Sequence, residues 1–411
     1  MRILHVNKFL YRRGGAEGYM FDVAARQEAA GHQVAFFGME HPENEPMPYR
    51  RAFPSQVEFE PPPPSLAGKA EAFGRMLWST SAARGIGGVV DTFGPDVAHL
   101  HNVYHQLSPS ILTTLRRRRV PAVMTLHDYK LVCPTYRLLD HGQLCEACIP
   151  HRFWSPIVRR CQAGSLAAST AAAVELSFHT FSGAYAHVSR FACPSRFLLE
   201  KMRAGRVFPP RLRWIPNFVD AERWTPSSEP GTGVVYAGRL SDEKGVDVLI
   251  RAIALLPSAR LQVAGDGPAR AALETLVVDL DLGARVTFHG RVGADALAGV
   301  LAGAAVAAVP SRWHENQPLA VLEAFASGLP VVSTDLGGMP ELVEPGVDGA
   351  LAPADDPAAL AAALEPLLQD PVLAFRMGAA GRAKVEREHS PALHLKRLHA
   401  LYDEARARVA S

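Results

Sequence analysis

The segment SRWHENQPLAVLEAFA, residues 311–326, carries the strongest structural signal in this chain. The apolar run before it, residues 304–309, is typical of a buried parallel strand. Pro318 then predicts the first position of a helix, because a proline there loses no hydrogen bond. Glu315 lies in the loop and Glu323 in the helix, so the two carboxylates do not share one helix face. The unpaired amides and the dipole at the start of this helix favour an anion such as a diphosphate.

The composition is that of a globular protein with uneven charge. A length of 411 residues predicts two or three domains, and a hydrophobic content of 48% argues against disorder. Residues 1–215 carry 26 Lys and Arg against 16 Asp and Glu, whereas residues 216–411 carry 17 against 25. The basic first half fits an anionic partner, namely a lipid phosphate, a membrane surface or an acidic acceptor. An uneven surface without any such partner is the alternative.

Two features bear on location. The N-terminus enters a strand without a signal peptide, and no apolar run of 18 residues predicts a spanning helix. We therefore expect a cytoplasmic protein, with peripheral contact at the inner face of the membrane left open. The run Arg116–Arg119 ends a predicted helix and is either a solvated face or a docking point for anionic lipid or an acceptor phosphate.

Short apolar runs alternate with helical patterns along both halves of the chain. The predicted strands are residues 3–7, 33–38, 96–102, 122–127, 186–189 and 192–194, then 233–238, 260–265, 285–290, 304–310, 330–334 and 349–352. The clearest predicted helices are residues 16–30, 245–255, 268–281 and 390–408. This alternation predicts an α/β fold with two doubly wound parallel sheets. Two such domains would face a ligand cleft outside the carboxyl ends of their strands.

The domain boundaries follow from the same pattern. The predicted units are residues 1–216 with an insert at 133–161, residues 217–389, and a crossing helix at 390–411 that packs back towards the first domain. The joint lies near residues 215–217 or in the Pro-, Ser- and Gly-rich segment 225–233, and residues 61–64 predict a stiff extended spacer.

The turn Gly238–Gly245 follows a predicted strand and opens a helix. Arg239 and Lys244 in this turn have the chemistry to neutralise two phosphate groups, the first as a fork and the second as a point charge. A polar turn with a solvated lysine is the alternative. Because the turn belongs to the same domain as Glu315, we favour the phosphate-binding interpretation.

The first domain offers two further candidate contacts. Gly14 and Gly15 follow the first strand and permit close approach of the backbone to a ligand, although the spacing is not that of a dinucleotide fingerprint. His127 and Asp128 end the fourth strand, where they could contact a substrate hydroxyl. His99 and His101 end the preceding strand and are predicted to line the same rim. In each case a purely structural turn or a satisfied core histidine is the alternative.

Two glycine-containing loops complete the set in the second half. Gly265-Asp266-Gly267-Pro268 is a strand-to-helix turn that structure alone could explain. Gly337-Gly338-Met339-Pro340-Glu341 opens another helix at the carboxyl edge of the sheet, and we favour a ligand-facing role for it.

In this order, and with Pro216-Asn217-x-x-Asp220 between the halves, the motifs resemble the retaining glycosyltransferases of the two-domain GT-B fold, family four (glycosyl transferases group 1). The resemblance implies that Glu315 approaches the donor sugar, that Glu323 holds the ribose and that His127 contacts the transferred sugar. It implies a catalytic set of His127, Glu315, Arg239 and Lys244. The implied donor-binding set is Gly14, Gly15, Arg239, Lys244, Gly265, Val292, Glu315, Asn316, Pro318, Leu319, Ala320 and Glu323. On the acceptor side it places His101, Asp128 and Asn217.

The resemblance also implies a reaction. A sugar would move from a nucleotide-diphosphate sugar to an unidentified acceptor (a glycan, a lipid-linked saccharide or a small metabolite) with retention of anomeric configuration. Catalysis would need no divalent metal and no cofactor, because Arg, Lys and helix amides supply the compensating charge. A sugar-nucleotide epimerase of the same fold and a non-catalytic nucleotide-sugar-binding protein are the alternatives. No nucleic-acid partner is expected.

Four cysteines lie in the predicted insert: Cys133, Cys145, Cys148 and Cys161. Their spacing, with one close pair, is compatible with a structural tetrahedral zinc site. Unligated thiols and a redox pair or cluster are the alternatives, and His141 and His151 are substitute ligands. A cytosolic location disfavours disulfides. Trp313, His314 and Gln317 depart from the family pattern and leave the donor sugar open.

Overall fold

The computed structural model describes residues 1–59, 63–226 and 231–410. The chain forms two compact units. The first comprises Met1–His141, Cys145–Ile215 and Leu395–Ser411, and the second comprises Gly142–Leu144 and Pro216–His394. The C-terminal helix therefore contributes its greater part to the first unit. The predicted spacer at 61–64 and the predicted linker at 225–233 lie partly outside the described residues.

The strands are short, and the inner strands of the two main sheets are more deeply buried than the edge strands. In chain order they are β1 Arg2–Val6, β2 Gln33–Phe37, β3 Val97–Leu100, β4 Ala122–Thr125, β5 Leu139–Asp140, β6 Gln143–Leu144, β7 Val188–Cys193, β8 Leu212–Trp214, β9 Val234–Ala237, β10 Leu261–Ala264, β11 Val286–Gly290, β12 Val306–Val309, β13 Val331–Thr334 and β14 Gly349–Ala352. The predicted runs 186–189 and 192–194 are one strand, β7. The polar Ser189-Arg190 pair interrupts the apolar pattern, and the register of β7 against β4 shifts by one residue there.

The helices are α1 Gly15–Ala29, α2 Leu66–Leu77, α3 Thr80–Phe93, α4 Ser110–Arg117, α5 Ser155–Arg159, α6 Leu166–Phe181, α7 Arg196–Ala204, α8 Val246–Ala254, α9 Arg270–Asp279, α10 Ala294–Ala302, α11 Leu319–Ala326, α12 Met339–Leu342, α13 Pro357–Gln369, α14 Pro371–Glu388 and α15 Pro391–Ala410. Four of those in the first unit begin after a serine whose hydroxyl accepts an amide hydrogen bond. Two in the second unit use aspartate in the same way.

Each unit is built on one six-stranded sheet of parallel strands. The order is β2-β1-β3-β4-β7-β8 in the first unit and β11-β10-β9-β12-β13-β14 in the second. The strand order therefore reverses between β1 and β3 in the first sheet and between β9 and β12 in the second. Ligands of doubly wound sheets bind outside the carboxyl ends of the strands at such switch points. The loops that follow these strands are consequently the places to look for a site.

Helices cover both faces of the second sheet. One apolar layer includes Val248 and Ile253 of α8 with Leu364 of α13, and the other includes Val321 and Phe325 of α11. Val321 and Phe325, four residues apart, follow the 3.6-residue helical period that the sequence predicts. Among the described residues, no single helix is long and apolar enough to cross a membrane. A pair bent by 102° within residues 357–409 meets that test by length and composition alone.

Candidate functional site

Glu315 is the centre of a charged cluster at the switch point of the second sheet. Its Oε1 accepts a hydrogen bond from Lys244 Nζ at 2.6 Å and another from Ser311 Oγ at 2.6 Å. The residue is only 5% exposed. Burial raises the pKa of its carboxyl, but the ammonium of Lys244 and these hydrogen bonds outweigh burial and hold the pKa below its usual value. The cluster therefore contains an ionised carboxylate at neutral pH.

The turn after β9 brings Lys244 to this carboxylate. Gly245 follows it with φ +66°, and a Cβ at this position would lie 2.1 Å from the carbonyl oxygen of Pro310. Glycine is thus required both by the backbone conformation and by the close approach to the end of β12. Arg239 in the same turn is exposed, and in the described part of the chain its guanidinium has no hydrogen bond or ion pair. A free cation and a paired cation therefore lie in this one turn.

The helix α11 begins directly after the Glu315 loop. Pro318 is its N-cap, with an extended backbone, and Leu319 is its first residue. The sequence predicted Pro318 one position further into the helix. Its carbonyl already accepts the first helical bond, from Val321 at 3.3 Å. The first amides, those of Leu319 and Ala320, have no partner within the helix, which suits them to an anion.

Two other loops pack against the Glu315 loop and donate hydrogen bonds to its carbonyl groups. A Cβ at Gly337 would lie 2.3 Å from the carbonyl oxygen of Glu315, and Gly338 donates its amide to that oxygen at 2.7 Å. Asn217 donates its side-chain amide to the carbonyl of Gln317 at 2.9 Å, and its own carbonyl accepts from His389 at 2.8 Å. Asn217 was predicted on the acceptor side. In the structure its side-chain nitrogen binds the Glu315 loop, whereas its Oδ1 has no hydrogen-bond partner among the described residues, and its contact with an acceptor stays a prediction.

Gly265 lies against the turn Gly238–Gly245. A Cβ at Gly265 would lie 1.8 Å from the carbonyl oxygen of Gly238, so this glycine is required for packing. Its contact with a donor stays a prediction. Asn316, Val292 and Glu323 are half-buried, the first two in loops and Glu323 in α11. Their predicted donor contacts likewise stay predictions.

In the first unit, His127 ends a chain of buried hydrogen bonds. Its Nε2 lies 3.0 Å from Nδ1 of His101, whose Nε2 lies 3.1 Å from Nδ1 of His5. His5 Nε2 lies 2.8 Å from Oε1 of Gln27. Burial lowers the pKa of His127 and of His5 to about 4, and the pKa of His101 lies well below its usual value for the same reason. All three rings are neutral at pH 7.

The predicted rim positions of His99 and His101 are wrong. Both residues are fully buried, and both ring nitrogens of His101 are already engaged by His5 and His127. His101 thus lies behind His127 and has no nitrogen left for an acceptor. Asp128 is half-buried, and burial raises its pKa to about 6. It accepts hydrogen bonds from the hydroxyl of Tyr104 and from the amide of Lys130.

Gly14 and Gly15 are at the start of α1, as the sequence predicts. Gly14 is the N-cap and Gly15 the first helical residue. A Cβ at Gly14 would meet only the carboxylate of Glu17, at 3.6 Å, so packing does not require this glycine. Whether these amides face a ligand stays a prediction.

The sequence did not reveal a buried ion pair next to Asp128. Lys130 Nζ lies 2.6 Å from Glu175 Oε2, and Oε1 of the same carboxylate lies 2.9 Å from His105 Nδ1. Burial would raise the pKa of Glu175, but His105 and Lys130 lower it below its usual value. A signal existed, since Glu175 is the sole acidic residue in the Ala-rich segment 166–181. The sequence also did not indicate that Ser311 donates a hydrogen bond to Glu315.

The cysteines of the insert are all free thiols. Burial, reinforced by the other three thiols of the insert, raises the pKa of Cys148. Burial and the neighbouring Asp140 raise that of Cys161 to about 12. The four thiols are therefore neighbours. However, across residues 1–59, 63–226 and 231–410 the one group that places three potential metal-ligand atoms within 4.8 Å of one another is His5, His99 and His101.

Taken together, two doubly wound parallel units and a cationic turn facing an acidic loop define the GT-B class of nucleotide-sugar enzymes. Family models agree: "Glycosyltransferase Family 4" matches residues 13–223 and "Glycosyl transferases group 1" matches residues 231–370. The chain belongs to this glycosyltransferase family.

Similar proteins fall in the same group. A mannosyltransferase of Corynebacterium glutamicum, GDP-mannose-dependent and acting on a monoacylated phosphatidylinositol monomannoside, is 32% identical over 48% of this chain and 57% of its own length. A D-inositol 3-phosphate glycosyltransferase of Streptomyces griseus is 37% identical over 37% of this chain and 35% of its own length. The chain thus spans between about a third and three fifths of these relatives.

Solved structures share the fold over nearly the whole chain. Sucrose-phosphate synthase from Thermosynechococcus elongatus superposes with a TM-score of 0.75 and 22% identity, covering 99% of this chain and 100% of that one. The Anabaena protein HepE in complex with UDP gives 0.67 and 19%, covering 97% and 99%. At these identities the likeness concerns the fold.

Proposed function

We propose that this protein transfers a sugar from a nucleoside-diphosphate sugar to an acceptor hydroxyl with retention of anomeric configuration. Family membership supports the class of reaction. The observation that carries the donor assignment is the cluster at the switch point of the second sheet, where Lys244 pairs with Glu315 and Arg239 is free. Relatives that use GDP-mannose and a structural neighbour that binds UDP support a nucleotide donor. Neither alternative, epimerase or binding protein, has an observation in its favour.

The chemistry follows from the charges. Breaking the anomeric C–O bond releases a nucleoside diphosphate, so stabilising the departing negative charge is the main catalytic task. Arg239, Lys244 and the N-terminal amides of α11 supply that stabilisation without a divalent metal. Glu315, held by Lys244 and Ser311, faces the donor sugar in this proposal, and Glu323 holds the ribose. His127 contacts the transferred sugar, and a phosphate oxygen takes the proton of the attacking hydroxyl.

The test is incubation with UDP-glucose, GDP-mannose and other labelled nucleotide sugars, with and without candidate acceptors. We expect release of one nucleoside diphosphate and an acceptor product with the anomeric configuration of the donor, by NMR. EDTA should leave the rate unchanged. Isomerised nucleotide sugar without transfer would establish the epimerase instead. Full turnover by a Lys244→Ala variant would show that the diphosphate site is elsewhere.

We also propose that the four insert cysteines hold a structural zinc ion. Their proximity and free thiol state support this, and four cysteine thiolates are a ligand set of tetrahedral structural zinc sites. Purified protein should contain one equivalent of zinc, and Cys145→Ser should lose it together with thermal stability. Cys193→Ser, at a buried thiol on β7, is the control that keeps the metal. A metal-free protein that is folded and active would remove the proposal.

Finally, we propose a cytoplasmic protein in peripheral contact with an anionic membrane. An apolar groove of about 350 Å³ lies between α5 and α6 and is lined by Phe153, Trp154 and Phe178 among others. Trp154 is 64% exposed and Phe181 75%. Arg152 and Arg160, both exposed, lie on the same segment. An aromatic apolar surface beside arginines has the chemistry of a membrane-interface contact.

This surface supplements the Arg116–Arg119 run, in which Arg118 is already paired with Asp91 at 2.7 Å. The test is sedimentation with phosphatidylcholine vesicles containing or lacking phosphatidylglycerol. A Trp154→Ser/Phe181→Ser variant should lose binding to the anionic vesicles. A Val372→Ser/Phe375→Ser variant, altered at exposed apolar residues of the second unit, should retain it. Equal binding by both variants would refute the surface, and self-association lost in the first variant would assign it to a dimer.

A further inference from the structure

A hydrogen-bonded chain of side chains connects the C-terminal helix with His127 inside the first unit. Beyond the histidines already described, Gln27 Nε2 donates to the hydroxyl oxygen of Tyr402 at 3.0 Å. The hydroxyl of Tyr402 lies 2.8 Å from His99 Nδ1, and His99 Nε2 lies 2.7 Å from Thr125 Oγ1. Gln27, Tyr402 and His99 are fully buried. The hydrogen-bonded series of side chains therefore has no solvent-exposed member between Tyr402 and His101.

The orientation of Gln27 fixes the direction of every bond towards His127. Its amide oxygen faces His5, so His5 Nε2 carries the proton. A neutral imidazole has one donor and one acceptor, so His5 Nδ1 accepts and His101 Nε2 must donate. By the same rule His101 Nδ1 accepts, and His127 Nε2 donates to it. The remaining nitrogen of His127, Nδ1, then bears the lone pair.

The same orientation of Gln27 sets the bonds at the other end of the hydrogen-bonded chain. Since the amide nitrogen of Gln27 donates to the oxygen of Tyr402, the hydroxyl proton of Tyr402 is directed at His99 Nδ1. His99 then donates from Nε2 to Thr125. If Gln27 were turned over, every bond in the chain would reverse and His127 would carry its proton on Nδ1. A single amide orientation thus decides whether His127 presents a donor or an acceptor.

We propose that His5, Gln27, His101 and Tyr402 are positioning residues that hold His127 in the tautomer with a proton on Nε2 and a lone pair on Nδ1. No described residue makes a hydrogen bond to His127 Nδ1, and His127 is half-buried rather than enclosed. The lone pair is therefore available to accept a hydrogen bond from a hydroxyl group of the bound sugar. This last step rests on the proposed function, whereas the tautomer itself does not.

The tautomer is measured by NMR of ¹⁵N-histidine-labelled protein, with His127 assigned from the signal lost in His127→Gln. We expect a protonated Nε2 and an unprotonated Nδ1 in the wild type. Tyr402→Phe removes the hydroxyl that couples Gln27 to His99, so the ratio of the two His127 tautomers should shift towards one, by at most about fivefold for a single neutral hydrogen bond. Gln27→Met removes the amide altogether and should bring both ring nitrogens towards the shift of an unbiased mixture.

Kinetic measurements distinguish a positioning role of the hydrogen-bonded side chains from a general effect on the structure. In Gln27→Met an unbiased ring would spend half its time in the wrong tautomer, so kcat should fall about twofold or more. Binding of UDP or GDP should stay unchanged, because the hydrogen-bonded side chains do not include Arg239, Lys244 or Glu315. Tyr185→Phe is the matched control: Tyr185 is a buried tyrosine of the same unit whose hydroxyl has no hydrogen-bond partner among the described residues. It should leave tautomer and kcat unchanged.

Three outcomes would overturn the proposal. These are a proton on Nδ1 of His127 in the wild type, unchanged ¹⁵N chemical shifts of His127 in both Tyr402→Phe and Gln27→Met, or a fall in kcat without any change of tautomer. Circular dichroism and thermal melts exclude misfolded variants from the comparison. If the protein has the expected tautomer but transfers no sugar, the positioning role is supported and the proposed function is contradicted.

Discussion

Replacing Lys244 by methionine should affect stability and ligand binding for separable reasons. The side chain of Lys244 is 23% exposed and that of Glu315 is 6% exposed, so the substitution strands a carboxylate that is nearly buried. Breaking a buried pair by removing one partner costs about 3–5 kcal/mol. Because Lys244 is partly solvated and Ser311 still donates to Glu315, we expect a loss of about 2–4 kcal/mol at pH 7.5.

The sign of the pH dependence follows from the carboxyl. In the wild type the folded pKa of Glu315 lies below its usual value, so its contribution is present above the unfolded pKa and is lost as pH falls. In Lys244→Met burial acts without the cation and raises the folded pKa above the unfolded one. The variant should therefore be most destabilised at neutral pH, and the difference in unfolding free energy should narrow as pH falls through the raised pKa of its Glu315.

The double variant Lys244→Met/Glu315→Gln separates the two effects. It contains no stranded charge, so stability at pH 7.5 should return to within about 1 kcal/mol of the wild type. Affinity for UDP or GDP, measured by calorimetry, should nevertheless stay about ten- to a hundredfold weaker, because a charged hydrogen bond to phosphate is lost. Glu315→Gln alone should bind the diphosphate normally. Wild-type diphosphate affinity in the double variant would refute the reasoning.

Two further predictions concern the scaffold. Gly245→Ala should lower the free energy of unfolding by at least about 2 kcal/mol, because of the positive φ and the clash with Pro310. Gly88→Ala, at an open helical position, should raise it by about 0.5–1 kcal/mol, and chemical denaturation measures both changes. Glu175→Gln should cost about 3–5 kcal/mol at pH 7 by stranding Lys130. Since the folded pKa of Glu175 lies below its usual 4.5, the gap should narrow as pH falls below that value; a constant gap would contradict this.

Much of the fold could be predicted because its signals are local. Buried parallel strands are short apolar runs, and the ends of helices α1, α8 and α11 follow from glycine, proline and periodicity. Lys244 and Glu315, each predicted to contact the donor, lie within hydrogen-bond distance of each other because both follow strands that are neighbours at a switch point; their contact with a donor stays a prediction. The family resemblance is confirmed as well.

The positions of His101 and Asn217 could not be predicted in the same way. His101 was assigned from its place at a strand end and Asn217 from the family resemblance, yet the ring nitrogens of His101 and the side-chain amide nitrogen of Asn217 are engaged by partners elsewhere in the chain. His101 pairs with His5 across 96 positions, and Asn217 with Gln317 across 100. A residue at the right edge of a sheet can point into the core or out of it, and the surrounding packing decides which.

Residues 304–326 and the turn before Gly245 determined by themselves that this chain has a strand, an acidic loop and an anion-favouring helix start, since turn chemistry and periodicity act over a few residues. Only the tertiary structure decided which nitrogen of His127 carries the proton. That depends on Gln27 and Tyr402, which meet across 375 positions. Hydrogen-bond direction belongs to the whole buried network, and no spacing within the sequence records it.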